Sequence, residues 1–107
     1  MTKGYKLRYL PLFYEDLREI TVYITEELRN IDAANRFIDK VESAIKGRLP
    51  FAESFEQFRS LKERPYTYYR IYVDNFIIFY VVIDEGDRKI MEVRRILYKG
   101  QNRDDII

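Results

Sequence analysis

The sequence of 107 residues contains neither cysteine nor histidine, and it also lacks tryptophan. Without cysteine there is no disulfide and no thiol nucleophile, so nothing points to an oxidising compartment. Without histidine, the triads and acid–base pairs that depend on imidazole are excluded. A zinc site would have to use carboxylates alone, which is unusual for this ion. We therefore expect neither a metal nor a cofactor.

Long apolar runs are missing as well. The longest, Phe76 to Ile83, has eight residues, whereas a helix needs about 20 to span a bilayer. The first residues lack the apolar stretch of a signal peptide. These absences predict a cytoplasmic protein.

Aromatic residues are abundant, with ten tyrosines and seven phenylalanines. A hydrophobic fraction of 47% predicts a packed core and argues against disorder. The length is close to the usual size of one domain, so we expect residues 1–107 to form a single domain.

The net charge of +1 conceals an uneven distribution. Residues 1–11 carry three basic and no acidic side chains, and residues 88–103 carry six basic side chains against Glu92 alone. The basic charge therefore gathers at the two ends of the chain. An ordinary solvated surface would explain it as well, since lysine and arginine cover most protein surfaces.

Helical and strand periodicities divide the chain into six elements. Asn30 to Asp32 supply capping groups between two helices, and Pro50 closes the second helix. Asp74-Asn75 suits a two-residue hairpin turn. The predicted elements are a strand at Tyr5–Leu10, a helix at Leu12–Arg29, a helix from Ala34 to Leu49, and strands at Tyr66–Val73, Phe76–Ile83 and Lys89–Leu97.

This order, β-α-α-β-β-β, predicts an α+β fold in which an N-terminal strand and an antiparallel helix hairpin pack on one face of a mostly antiparallel sheet. Leu17, Ile20, Ile24 and Leu28 would form the apolar stripe of the first helix. Its acidic residues, Glu15, Asp16 and Glu19, would form a solvated face. The other face of the sheet, with an apolar central strand, would be a surface that another molecule covers.

Four segments together resemble the RelE/ParE toxins, which are also known as plasmid stabilisation proteins. No single motif is specific, but the segments cover nearly the whole chain in the family's order. They are YEDLREITVYITEELRN from Tyr14, AANRFIDKVESAIKGRLP from Ala33, YYRIYVDNFIIFYVV from Tyr68, and VRRILYKGQNRDDII from Val93.

The resemblance implies the toxin of a type II toxin–antitoxin system, neutralised by a cognate antitoxin whose C-terminal segment wraps around it. One branch of the family cleaves mRNA on the ribosome. The other lacks that chemistry and inhibits DNA gyrase. As a nuclease, the chain would use Arg70 on the second strand of the meander and Tyr98, which stands where the family often has histidine. A tyrosine serves as acid or base near neutral pH only when neighbouring cations lower its pKa.

Other side chains are candidates for binding RNA or another target. Arg94 and Arg95 are adjacent in a strand and would point to opposite faces. The arginine that the family nucleases carry early in the next strand is missing, since Phe76, Ile77 and Ile78 stand there. The predicted binding residues are Tyr72, Arg95, Lys99 and Arg103.

Each candidate also has a structural explanation, because arginine and tyrosine are common on strand surfaces and at sheet ends. Three functions therefore stay open. The missing histidine and arginine favour a non-catalytic toxin that inhibits a target such as gyrase. The alternatives are a ribosome-dependent mRNA endoribonuclease and an inactive, toxin-like binding module.

Overall fold

The computed structural model describes residues 4–58 and 66–101. Two helices lie between the first strand and the remaining strands, as the sequence predicts. The elements are β1 (Tyr5–Tyr9), α1 (Pro11–Glu26), α2 (Ile31–Arg48), a short 3₁₀ helix (Leu49–Phe51), β2 (Gln57–Phe58), β3 (Tyr68–Val73), β4 (Phe76–Glu85) and β5 (Arg88–Tyr98).

The strands form one sheet in the order β1-β5-β4-β3-β2. β1 runs parallel to β5, and all other neighbours are antiparallel. The predicted α+β arrangement is confirmed. β2 is an addition, because it lies inside the stretch from Phe51 to Pro65 in which the sequence shows no regular pattern.

The ends of the helices follow local chemistry. Pro11 occupies the first turn of α1, where its missing N–H leaves no hydrogen bond unmade. α1 ends at Glu26, three residues before the predicted end, and Arg29 adopts a left-handed backbone with φ of 51°. The side chain of Asn30 then accepts a hydrogen bond of 2.9 Å from the N–H of Ala33, so the predicted cap of α2 is confirmed.

Both hairpins close with two-residue turns. Val73 pairs with Phe76 across Asp74 and Asn75, as predicted, and Asp74 has a positive φ of 52°. Glu85 pairs with Arg88 across Gly86 and Asp87. Gly86 has a φ of 73°, a conformation that glycine adopts without a steric cost.

The core lies between the helix hairpin and one face of the sheet. Tyr80 and the other inward-facing residues of the central strands pack against the two helices. The helices contribute Phe13 from α1 and Phe37, Val41 and Ile45 from α2. We call this side of the sheet the helix face. Leu28, which the periodicity places in the apolar stripe, is exposed instead, because α1 has already ended.

The opposite side, which we call the open face, also carries an apolar cluster. Ile77, Phe79 and Val81 of β4 are at most 1% exposed, and Tyr68 and Leu97 lie beside them. The expectation of an apolar surface that another molecule must cover is therefore wrong for this face. Its apolar side chains are already buried within the chain.

Candidate functional site

Arg70 lies on the open face of β3. Its cross-strand partner is Phe79, which belongs to the open-face cluster. The guanidinium lies 5.3 Å from the ring centre of Phe58 and 5.9 Å from that of Tyr72. One of its nitrogens is 3.3 Å from a carboxylate oxygen of Glu56. The structure therefore brings Arg70 and Tyr72 together, with an acidic partner for the cation.

Tyr98 lies at the end of β5 on the helix face. It pairs with Phe76, and the two rings meet edge to face at 5.9 Å. Phe76 in turn contacts Phe37 of α2, with ring centres 5.1 Å apart. Residues directly opposite each other in neighbouring strands point to the same face. Arg70 and Tyr98 consequently lie on opposite faces of the sheet.

A β-bulge explains this separation. Tyr80 pairs with Val93, but Phe79 pairs with Arg95, so Arg94 is an extra residue in β5. A bulge reverses the alternation of the residues that follow it. Regular alternation from Val93 would place Tyr98 on the open face with Arg70, whereas the bulge moves it to the helix face.

Arg95 is joined to α1 by an ion pair. Its Nε and Nη2 donate hydrogen bonds of 2.7 and 2.8 Å to the two carboxylate oxygens of Asp16. These hydrogen bonds raise the pKa of Arg95 further above its ordinary value, and burial opposes the rise. Asp16 is only 9% exposed, so its assignment to a solvated helix face was wrong. Arg95 was predicted to bind a target, and most of its side chain is enclosed in this contact.

Arg94 reaches the open face, where it meets Glu92. Glu92 is buried and accepts hydrogen bonds at 2.8 Å from Arg94 through one oxygen and from Arg8 through the other. Arg94 also lies within hydrogen-bond distance of the hydroxyl of Tyr68, at 3.4 Å. The contacts of the two arginines diverge, since Arg94 meets Glu92 and Arg95 meets Asp16 of α1. The bulge interrupts the regular alternation on which the prediction of opposite faces rests.

The cluster around Glu92 was not predicted from the sequence. The sequence did contain one indication of it. Glu92 is the single acidic residue of a basic strand, and a carboxylate among arginines is their natural counter-ion. Arg8 could not be connected to it, since the two residues are 84 positions apart in the chain.

The remaining predicted binding residues are scattered. Tyr72 is exposed on the open face. Lys99 follows β5, and its backbone N–H donates a hydrogen bond of 2.9 Å to the carbonyl of Asn75 in the β3–β4 turn. Arg103 lies outside the described residues. Of the predicted residues that the structure describes, it brings only Arg70 and Tyr72 together.

Tyr98 instead lines a groove on the helix side of the molecule. The groove has a volume of about 760 Å³ and runs between α1, α2 and the β3–β4 turn. We call it the helix–sheet groove. Most of its wall is apolar, and its larger apolar side chains are Ile20, Tyr23, Ile24, Leu28, Phe37, Phe76 and Tyr98.

Charged side chains border the same groove. Lys40 of α2 lies 3.3 Å from a carboxylate oxygen of Asp74 in the β3–β4 turn, which ties the helix to the hairpin. Glu19 and Arg36 lie on α1 and α2 respectively.

Within the described ranges, no helix is long and apolar enough to cross a membrane.

The arrangement of two helices on a mostly antiparallel sheet also occurs in a solved structure. A solved structure titled YoeB/ParE toxin from Agrobacterium tumefaciens superposes with a TM-score of 0.50 over 87% of this chain and 97% of that one, at 19% sequence identity. At this identity the likeness shows the fold. The search of curated proteins finds no match.

The family follows from the sequence match. The family model described as the ParE toxin of the type II toxin–antitoxin system, parDE, matches residues 7–103. The chain belongs to this family. It is therefore a toxin component of a type II toxin–antitoxin system, and such a toxin has a cognate antitoxin as its partner.

Proposed function

We propose that this toxin arrests growth by binding DNA gyrase and inhibiting it, without cleaving RNA. The observation that carries the proposal is the placement of Arg70 and Tyr98 on opposite faces of the sheet. A nuclease must hold its cation and its acid or base around the same phosphate. Gyrase acts on the chromosome, so the proposal also places the toxin in the cytoplasm.

The charges of the open face support the same function. Three arginines of this face, among the residues that the structure describes, have carboxylate partners: Arg70 pairs with Glu56, and Arg8 and Arg94 share Glu92. A surface that cleaves RNA needs cations that can contact the phosphate backbone. The same cations stabilise the negative charge that develops in the transition state. Here much of that positive charge is compensated inside the protein.

The first test compares the two targets in one experiment. Wild-type toxin, Arg70→Ala and Tyr98→Phe are each induced, and the 5′ ends of mRNA and the DNA-damage response are recorded together. We expect a damage response without new 5′ ends, and we expect Arg70→Ala to arrest growth as well as the wild type. Arg88→Ala, an exposed arginine at the start of β5, controls for loss of charge.

A supercoiling assay with purified gyrase gives the direct readout. Inhibition by the wild type and by Arg70→Ala supports the proposal, and substitutions on the helix hairpin or the C-terminal tail should then weaken inhibition. New mRNA ends inside codons that disappear in Arg70→Ala would establish a ribosomal nuclease and refute the proposal. Absence of both effects would point to an inactive binding module.

A further inference from the structure

The helix–sheet groove leaves large apolar side chains in contact with solvent. Tyr23, Leu28 and Tyr98 on its rim are 55%, 57% and 51% exposed. The apolar residues of the open face, by contrast, are buried within the chain. Apolar surface is more stable out of water, and an exposed patch rimmed by charge marks a binding surface. The groove therefore presents a surface on which other apolar side chains can bind.

Directly beside the groove, the chain reverses its direction. The N–H of Gln101 donates a hydrogen bond of 3.0 Å to the carbonyl of Tyr98, and the side chain of Gln101 accepts one of 2.9 Å from the N–H of Tyr98. A hydrogen bond between residues i and i+3 closes a turn. Gly100 lies against the Tyr98 ring, since a Cβ there would be 2.6 Å from Cε2 of that ring. The turn thus brings the end of the described chain to a side chain of the groove wall.

Residues 102–107 follow this turn in the sequence and lie outside the described residues. Their sequence is NRDDII, in which two aspartates precede two isoleucines. Six residues reach at most about 20 Å, whereas the axes of packed helices lie about 8–10 Å apart. The segment is therefore long enough to enter the groove from the turn and to reach α1.

The charge on α2 matches this segment. Arg36 lines the groove, and among the described residues it has no carboxylate within ion-pair distance. Lys40, one turn further along the same helix face, is already paired with Asp74. Carboxylates form charge-assisted hydrogen bonds with a guanidinium. Two aspartates next to two apolar residues therefore suit an apolar groove that Arg36 borders.

We infer that residues 102–107 bind in the helix–sheet groove of their own chain. Ile106 and Ile107 pack against Tyr23, and the two aspartates lie beside Arg36. The entropic cost of closing this contact is small, because the segment is short and begins at the groove. Binding in this way covers the apolar rim and keeps it from associating with a second copy of the toxin. The inference concerns the free toxin and does not depend on the toxin's target.

The test uses engineered cysteine pairs, because the chain has no cysteine of its own. In the full chain, Ile106→Cys is combined with Tyr23→Cys or with Leu28→Cys, two exposed positions of the groove. Mass spectrometry follows disulfide formation under mild oxidation. A disulfide forms only when the two Cα atoms come within about 7 Å. We expect at least one groove pair to close within the molecule at least about tenfold faster than a pair outside the groove, because the bound segment has a high effective concentration there.

Tyr72→Cys combined with Ile106→Cys is the matched control. Tyr72 is also an exposed tyrosine, at 60%. It lies at the same end of the sheet as the turn, since it pairs with Ile77, which in turn pairs with Leu97. Tyr72 lies on the open face, however, so a segment without a preferred site would reach it as readily as the groove.

Neutral variants test the charged contact with the same readout. Asp104→Asn with Asp105→Asn should slow closure of the groove pair about two- to fivefold, as loss of an exposed ion pair does, and high salt should reduce this effect. Arg36→Gln should slow closure by a similar factor, but it should have no further effect once the aspartates are neutral. Lys46→Gln, at an exposed position of α2 outside the groove, should act equally in both backgrounds.

The outcomes are distinct from those of the gyrase assay. Faster closure in the groove than at Tyr72 supports the inference. Closure at both groove positions that is no faster than at Tyr72 overturns it. Disulfides between molecules rather than within one would give the groove to a second copy and would also overturn it. An equal effect of Arg36→Gln in both backgrounds would overturn the contact between Arg36 and the aspartates.

Discussion

Asp16 and Arg95 form a two-point ion pair that joins the second turn of α1 to β5, immediately after the bulge at Arg94. The same carboxylate also accepts a hydrogen bond of 3.1 Å from the backbone N–H of Ile96. The ion pair thereby holds α1 against the part of β5 that follows Val93, the last residue of β5 that pairs with β1. The pair therefore stabilises the junction of the helix hairpin and the sheet.

We expect Asp16→Ala to lower the free energy of unfolding by about 3 kcal/mol, because it leaves a largely buried guanidinium without its counter-ion. Urea unfolding followed by circular dichroism measures the change. Glu15→Ala, at the exposed neighbouring position, should change it by less than about 0.5 kcal/mol.

The double variant Asp16→Ala with Arg95→Ala should be less destabilised than the sum of the two single variants, because the single variants each leave a partner unpaired. Additive effects would show that the two residues contribute independently. In that case the contact would not be the cause of the stabilisation.

The cluster of Tyr5, Glu53 and Lys89 predicts a dependence of stability on acid. One oxygen of Glu53 accepts hydrogen bonds from Lys89 at 2.8 Å and from Tyr5 at 2.9 Å. The bond from Lys89 is the main cause that lowers the pKa of Glu53 below its ordinary 4.5, and burial opposes it. The stabilisation is therefore complete above pH 4.5 and is lost as the pH falls through the lower, folded-state pKa.

Glu53→Gln should accordingly reduce the loss of unfolding free energy between pH 6 and pH 3. Glu26→Gln, an exposed position in the last turn of α1, should retain the wild-type dependence on pH. The measurement is a series of urea unfolding curves at several pH values. Parallel pH profiles for Glu53→Gln and wild type would rule out the cluster as a source of acid sensitivity.

A buried hydroxyl joins the central strand to the segment after α2. Tyr80 donates a hydrogen bond of 2.7 Å to the carbonyl of Ala52 and receives one of 3.0 Å from Arg48. Burial raises the pKa of Tyr80, so its hydroxyl stays protonated as a donor at neutral pH. Tyr80→Phe leaves the buried carbonyl of Ala52 without this donor.

We expect Tyr80→Phe to cost about 1–3 kcal/mol, the usual penalty for an unsatisfied buried acceptor. Thermal or urea unfolding measures it. Tyr14→Phe removes a hydroxyl from an exposed ring and should be close to neutral. An equal effect of the two substitutions would contradict a structural role for the Tyr80 hydroxyl.

The sequence predicted the fold well where local periodicity determines it. The helical spacing of Phe37, Val41 and Ile45 and the turn at Asp74-Asn75 depend on residues close in the chain. β2 was missed because it has only two residues, too few for a recognisable period. The burial of Asp16 was also missed, because its partner lies 79 positions away.

The candidate site was less predictable for a physical reason. The face on which Tyr98 lies depends on counting alternation along β5, and a single bulged residue reverses that count. Nothing about Arg94 in the sequence distinguishes it from a regularly paired residue. Arg70 and Tyr72 are two residues apart in a regularly paired strand, so local alternation alone is enough to place them on one face.

Gly100 lies against the ring of Tyr98. A Cβ added at Gly100 would be 2.6 Å from Cε2 of that ring, so the ring would have to move. Because the ring is half exposed, it can rotate at little cost, and Gly100→Ala should change the free energy of unfolding by less than about 0.5 kcal/mol. Gly47→Ala is the matched control, since an added Cβ there meets nothing within 4 Å. It should stabilise α2 by up to about 1 kcal/mol. Urea unfolding of the two variants measures both changes, and a loss of more than about 1 kcal/mol in Gly100→Ala would show that packing holds the Tyr98 ring in its position.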